Sequence, residues 1–478
     1  MRILLLINKI EFKMEKTTDI RLKKRKNILF ILFSIAILLS GCSKFETDNS
    51  NAKAIDVVGK TTTINFVGHW LGEGDREHFV RNFAREYEFQ HQNIQINLKF
   101  PEEIYYDKLD RKSNEKYTAK VIKEGITDWD ILRINGEYSE VLALCNDPDW
   151  AKKNLVDFSQ IEEFRQNTIP ELLTEEAKAQ WNGIIPGPWV EGQYWALWCN
   201  NKVAEKVGIQ VKQFGMTVDD FVGYIKAVDQ YNKNHPGNYI APIYESYVWK
   251  TAMAIATNMY GSLLNDRDEF LSKKVTEKRM DAWEKTLEVM ESISQYKPLK
   301  PDWRTTEWST TTNSLLNEEC LFYVNGSWMY NIWMGIDKQK TMNCMPTEFP
   351  GFHPLKFYPG AYQVTWGVLK NAPHREEAVK FLLALNKPEY ADEWSRTTKC
   401  PTGIKGDLSD VAFGADRFEN FSAYIQKNYG SKTYRYYESS VWFLDEKNAN
   451  TLNYFDEVIE GKMTAKEAMR NIRSNIKR

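Results

Sequence analysis

Between residues 62 and 100 the hydropathy period changes twice. Residues 62–67 (TTINFV) alternate and are rich in β-branched side chains, which fits a strand. Residues 75–91 carry Phe79, Val80, Phe83 and Tyr87 on one helical face, with Asp75 placed to cap the first turn. Residues 93–100 (NIQINLKF) alternate again. A strand, a helix and a strand this close admit few folds: the strands must be parallel and their crossover right-handed. The pattern continues with a polar helix over 106–124 and a short strand over 129–134 (WDILRI). A further strand runs from Gln193 into a turn at Asn201 (QYWALWCNN). Thr217-x-x-Asp220 is a variant capping box opening a helix, and 282–294 is helical. Residues 321–333 (LFYVNGSWMYNIW) read as strand, Asn-Gly turn and helix, and 362–369 (YQVTWGVL) as one strand. Residues 375–386 form a helix with Ala378, Val379, Leu382 and Leu385 inward, and the C-terminal helix covers 464–476. Strands alternating with helices predict an α/β protein with open sheets.

The N-terminus carries a different signal. Arg21, Lys23, Lys24, Arg25 and Lys26 precede an apolar run from Ile28 to Leu39, followed by Ser40, Gly41 and Cys42. Basic, apolar and small residues in that order form a secretory signal. The apolar run is too short to span a bilayer, which takes about 20 residues. Leu39-Ser40-Gly41-Cys42 resembles the bacterial lipobox, in which the cysteine is lipidated and becomes the mature N-terminus. Residues 1–41 are therefore expected to be a lipoprotein signal peptide, with Met1 or Met14 as its start. Residues 42–60 are the lipidated Cys42 and a polar, flexible tether. More than one acyl chain on Cys42 would hold the protein at a membrane surface, on the extracytoplasmic face.

What remains is long enough for two domains. A formal net charge of −2 supplies no basic field, which argues against nucleic acid as a partner. The six cysteines are widely spaced, with no C-x-x-C, so neither a zinc nor a redox motif is present. Apart from Cys42 they read mainly as buried free thiols. The six histidines are scattered and read as surface or loop residues. No metal site, cofactor cradle or G-x-S-x-G elbow is evident, and Gly72-x-Gly74 is only turn chemistry. Asp128, Asp130 and Glu137 could mimic a glycosidase pair. Residues 265–269 (NDRDE) loosely resemble a calcium loop but lack its glycine and read as a solvated turn. The expectation is a binding protein with no catalytic residues.

In open α/β sheets, ligands sit outside the carboxyl ends of strands. That singles out Trp70 and Glu73 after the first strand, and Arg133, Asn135 and Glu137 at the end of WDILRI. Sixteen tryptophans are the compositional outlier, and many must serve a core. Loop aromatics suit a sugar's apolar face, while Asp, Glu, Asn, Gln and Arg suit its hydroxyls. Tyr244, Trp249 and Trp303 are further aromatic candidates, with core packing as the alternative.

The order of segments resembles the bacterial extracellular solute-binding proteins of the sugar-binding type (family 1), receptors that feed ABC importers. The resemblance runs through 192–209, 216–228, 320–328 (CLFYVNGSW), 359–370 (PGAYQVTWGVLK) and 374–384. Trp198 stands where the family has Pro or a small residue, and the aromatic stretches 303–308 and 349–359 have no counterpart. The resemblance implies a two-lobed periplasmic-binding-protein-like fold (type II-like). Each lobe is an open mixed sheet flanked by helices, with the ligand in the cleft. It implies a first lobe of 60–198 plus 363–400 and a second of 199–362 plus 401–478. It places Trp328 as a stacking residue, and Tyr362 with Gln363 at a crossing between lobes. The implied function is a lipid-anchored, monomeric receptor that delivers a sugar or oligosaccharide to ABC permease subunits. Presentation of the same ligand to a sensor kinase, or a surface carbohydrate-active enzyme, are the alternatives.

Overall fold

The computed structural model describes residues 61–105, 113–134, 138–246, 250–272, 274–306, 313–406, 417–429, 432–434 and 450–475. The chain divides into two units, Met1–Gly59 and Lys60–Arg478, and all the described residues belong to the second. The signal peptide, Cys42 and the tether lie outside the described residues. So do Asn135, Glu137, Trp249, residues 106–112 of the expected polar helix, 307–308 of the WRTTEW stretch and Ile476.

The changes of period seen in the sequence build a first sheet. β1 (Thr62–Val67) pairs in parallel with β2 (Ile94–Lys99) along its whole length, and with β3 (Ile131–Arg133) at Phe66↔Ile131. Helix α1 (Asp75–Gln90) makes the crossover from β1 to β2 and buries Phe79, Val80, Phe83 and Tyr87, as its apolar stripe requires. Its capping differs from expectation. The N-cap is Gly74, at φ 55°, with no side-chain cap. Asp75 sits inside the first turn, where its charge still favours the helix N-terminus.

The second sheet is built around β4 (Glu191–Asn200), which begins two residues earlier than its sequence pattern shows. β4 pairs with β6 (Cys320–Gly326) on one side, and β6 pairs in parallel with β5 (Ala241–Ile243). On its other side β4 pairs with β7 (Cys344–Thr347) and β8 (Tyr358–Gln363). β10 (Thr433–Tyr434) adds to β8. The expected strand over 362–369 is two strands in different sheets. β8 ends at Gln363, and β9 (Trp366–Val368) joins the first sheet antiparallel to β3. Buried Val364 and Thr365 join them, so one continuous strand-like run conceals a passage between sheets.

Each sheet carries its own core. The first holds residues from Ile64 to Val190 and from Val364 to Ile404. The second holds Tyr194 to Tyr358 and Phe418 to Ile472. The chain therefore passes between cores within β4, at the end of β8, and between Ile404 and Phe418. This is a two-lobed mixed α/β fold. Close approach at the crossings is visible at Gly192, where a Cβ would lie 2.5 Å from the Pro401 carbonyl oxygen. Helix capping follows the sequence at Thr217, whose Oγ1 accepts from Asp220 N while Asp220 Oδ2 accepts from Thr217 N. No helix among the described residues is long and apolar enough to cross a membrane. Cys199, Cys320, Cys344 and Cys400 are buried free thiols, and Cys145 is half-buried.

Candidate functional site

The C-terminal end of β1 in the first lobe, and those of β5 and β6 in the second, each run into a loop carrying an expected site residue, and β3 ends on one, Arg133. After β1 the chain turns sharply through Trp70, a non-glycine residue at φ 71°. A bulky side chain rarely tolerates that left-handed conformation, and such strain gathers at functional loops. Trp70 is 2% exposed, and its ring packs against Trp366 and Trp394 at centroid distances of 5.3 and 4.8 Å. It is an inner wall of the site rather than an open stacking face. His69 stacks on it at 4.7 Å. Burial first, then the charges of Arg133 and Arg76, push the His69 imidazole well below its usual range and keep it neutral.

The first turn of α1 supplies Arg76, which sequence reasoning passed over. It is 2% exposed. Its Nη1 donates to Glu191 Oε1 at 2.9 Å and to Glu73 Oε2 at 3.4 Å. Its Nη2 donates to Cys400 Sγ at 3.2 Å, and Cys400 Sγ donates to Ser327 Oγ at 3.5 Å. Burial works against the charge on Arg76, but Cys400, Glu191 and Glu73 outweigh it and hold the guanidinium charged. Burial raises the Glu73 carboxyl above its usual range despite Arg76. This knot ties the loop after β1 to the start of β4 and to the segment at Cys400. Through Ser327 it reaches the loop after β6. A second tie lies alongside: Asn331 Nδ2 donates to Thr398 O at 2.8 Å, and a Cβ on Gly74 would lie 3.3 Å from the Asn331 carbonyl oxygen.

Trp328 follows Ser327 and is the N-cap of α2 (Met329–Ile336). Its partly buried ring meets Trp195 of β4 edge-on at 5.2 Å and 84°. Asn325-Gly326 is the end of β6 and not the expected turn. The glycine is needed because the Trp328 ring folds back over it, and a Cβ there would sit 1.9 Å from that ring.

The remaining expected residues separate. Arg133, the last residue of β3, faces the knot closely enough for its charge to act on both His69 and Glu73. Its Nε is buried without a hydrogen-bond partner, and no ion pair engages it among the described residues. Tyr244 follows β5, and its side chain is buried in the second core. Trp303 is also in that core, donating from Nε1 to Glu460 Oε1 at 2.9 Å beneath Lys250 and Arg304. Paired residues of antiparallel strands share a face, and successive residues alternate. Gln363 pairs with Glu191 and so shares its face, whereas Tyr362 pairs with Gly192 and looks the other way. Tyr362 lines a crevice of ≈ 390 Å³ with Glu171, Gln180 and Arg267. Burial, then Glu171, pushes its hydroxyl up to about 12. Glu245 follows Tyr244. Burial pushes it up to about 8, and its Oε2 accepts from Ala252 N at 2.6 Å.

Asp130 precedes β3, at the opposite end of the strand from Arg133. Its carboxylate accepts from Asn65 N and His374 N, which occupies it structurally. In the NDRDE turn, Asp266 Oδ1 accepts from Glu269 N and Glu269 Oε2 accepts from Asn265 N, so the carboxylates cap backbone. Among the described residues no group of three or more His, Cys, Asp or Glu could hold a metal ion.

Two lobes with separate cores, three passages between them and facing strand ends define a two-lobed binding protein. Residues 86–415 match the bacterial extracellular solute-binding protein family, and the chain belongs to it. That membership places it on the extracytoplasmic side, among proteins that bind rather than transform their solute. The melibiose/raffinose/stachyose-binding protein MelE of Bacillus subtilis (strain 168) is 20% identical over 401 residues, 81% of this chain and 83% of that protein. Apo RafE from Streptococcus pneumoniae shares the fold at a TM-score of 0.60, with 15% identity, over 87% of this chain and 97% of that one. Maltose-bound MalE3 of T. maritima does so at 0.56, with 14% identity, over 86% and 98%.

Proposed function

We propose that this chain is a lipid-anchored receptor that closes its lobes on an oligosaccharide and hands it to an ABC importer. The observation that carries the reading is the corner made by Trp328 and Trp195, joined through Ser327 and Cys400 to the Glu73–Arg76–Glu191 knot. A partly open indole beside charged and polar groups suits the two kinds of surface a sugar presents. The names of MelE and the maltose complex of MalE3 support a saccharide ligand. Trp70, Glu73, Arg133, Gln363 and Trp328 are the residues we assign to the cleft, with Asn135, Glu137 and Trp249 as neighbours in sequence. The two cores support lobes of about 60–198 plus 363–400 and 199–362 plus 401–478. Ligand contacts to both lobes favour the closed form by differential affinity. Cys42 and the tether concentrate the monomeric receptor at the membrane that holds its permease. The chain performs no catalysis.

A thermal-shift screen of oligosaccharides on the body from Ser43 onward tests the binding claim. At 100 times Kd a saccharide stabilises the folded state by about 2.7 kcal/mol. A flat screen contradicts the reading. Separately, Cys42→Ala should release the protein from membranes; retention by lipid contradicts the anchor.

A further inference from the structure

We propose that the solute carries an anionic substituent, a carboxylate or a sulfate ester, seated against Arg133. This rests on the oligosaccharide reading and narrows it to acidic sugars. The cleft side of the first lobe has a surplus of donors. Trp70 Nε1, Arg76 Nε, Arg133 Nε and Trp366 Nε1 are all buried without a hydrogen-bond acceptor. They belong to one neighbourhood. The Trp70 and Trp366 rings lie 5.3 Å apart, Arg76 lies 5.6 Å from the Trp70 ring, and Arg133 is paired with Trp366 across β3 and β9. Buried donors in folded proteins are nearly all satisfied, so four orphans together leave this neighbourhood short of acceptors.

The charges lead to the same conclusion. Arg76 is paired with Glu191 and Glu73, whereas Arg133 has no carboxylate partner among the described residues. Of the nearby carboxylates, Glu191 Oε1 and Glu73 Oε2 already accept from Arg76. A neutral sugar hydroxyl would bring a proton that also needs an acceptor, whereas a carboxylate or sulfate brings acceptors only. The planar guanidinium fork of Arg133 matches a carboxylate in two parallel hydrogen bonds. Burial also raises the Glu73 carboxyl above its usual range, which weakens it as a counterweight to Arg133.

The test is calorimetric titration of the body from Ser43 onward with matched trisaccharides: uronic acid oligomers, their carboxyl-reduced neutral counterparts and their sulfated counterparts. An acidic member should bind at least about 30-fold tighter than its neutral counterpart. Whether the uronate or the sulfate binds identifies the group, and either result supports the proposal. Arg133→Gln should abolish the preference while leaving the melting temperature unchanged, and Arg133→Lys should restore only part of it, lacking the fork. Equal or tighter binding of the neutral members overturns this inference and leaves the oligosaccharide reading standing. Binding of none of them counts against that reading itself.

Discussion

Arg76→Met removes the cation of the interlobe knot while keeping much of its volume between Trp70 and Trp394, both 5.6 Å from the guanidinium. Glu191, 4% exposed, would keep its carboxylate but lose the partner at 2.9 Å. Removing one member of a buried pair costs about 3–5 kcal/mol. The body covers Lys60–Arg478. With unfolding entropy of about 2.1 cal/mol/K per residue, a body of that length loses roughly 3–6 °C in Tm, and about twice that if the first lobe melts alone. Arg76→Met/Glu191→Leu should recover most of the loss, because an apolar pair of similar volume needs no desolvated charge. Calorimetric melting of the three proteins at neutral pH is the assay. A single variant within 0.5 °C of wild type, or a double variant no better than the single, would falsify the view of Arg76 as a buried tie within the first lobe.

Glu245→Gln keeps an acceptor for Ala252 N and removes an acid raised to about 8. The wild-type carboxyl's advantage is full below its unfolded pKa of about 4.3 and is lost as pH rises toward 8. The variant should thus gain Tm relative to wild type across that window, and parallel pH–Tm curves would count against it. Gly326→Ala puts a methyl into the Trp328 ring, 1.9 Å away at its nearest carbon, and should cost about 1–3 kcal/mol and weaken saccharide binding; unchanged stability and affinity would refute the packing described. Trp303→Phe loses the hydrogen bond to Glu460 and should cost about 1 kcal/mol in denaturant melts while leaving ligand affinity unchanged.

The first lobe is legible in the sequence because its periods are clean. TTINFV, the Phe79–Tyr87 stripe and NIQINLKF each have one buried face and fold as they read. The clearest misreading occurs where two lobes share one segment. Residues 358–368 stay rich in β-branched and aromatic side chains across a passage between sheets, so the pattern shows one strand where there are two. Asn325-Gly326 has the composition of a turn, but its glycine answers to an indole two residues away. Trp303 carries the composition of a binding loop, and its polar handle is taken by Glu460, far along the chain. Arg76 left a usable signal. It shares a helical face with Phe79, Val80 and Phe83, and a cation in an apolar stripe asks for a buried partner. Glu191 and Cys400 gave none, since their pairing exists only once distant stretches of the first lobe have folded together.

The claim of a saccharide cleft at Trp328 is tested most directly by tryptophan fluorescence. The body from Ser43 onward, as wild type and as Trp328→Ala, would be titrated with neutral and acidic oligosaccharides. A saturable spectral shift in wild type, lost in the variant at unchanged Tm, is the predicted result. Full binding by Trp328→Ala, or no response of wild type to any saccharide, would contradict it.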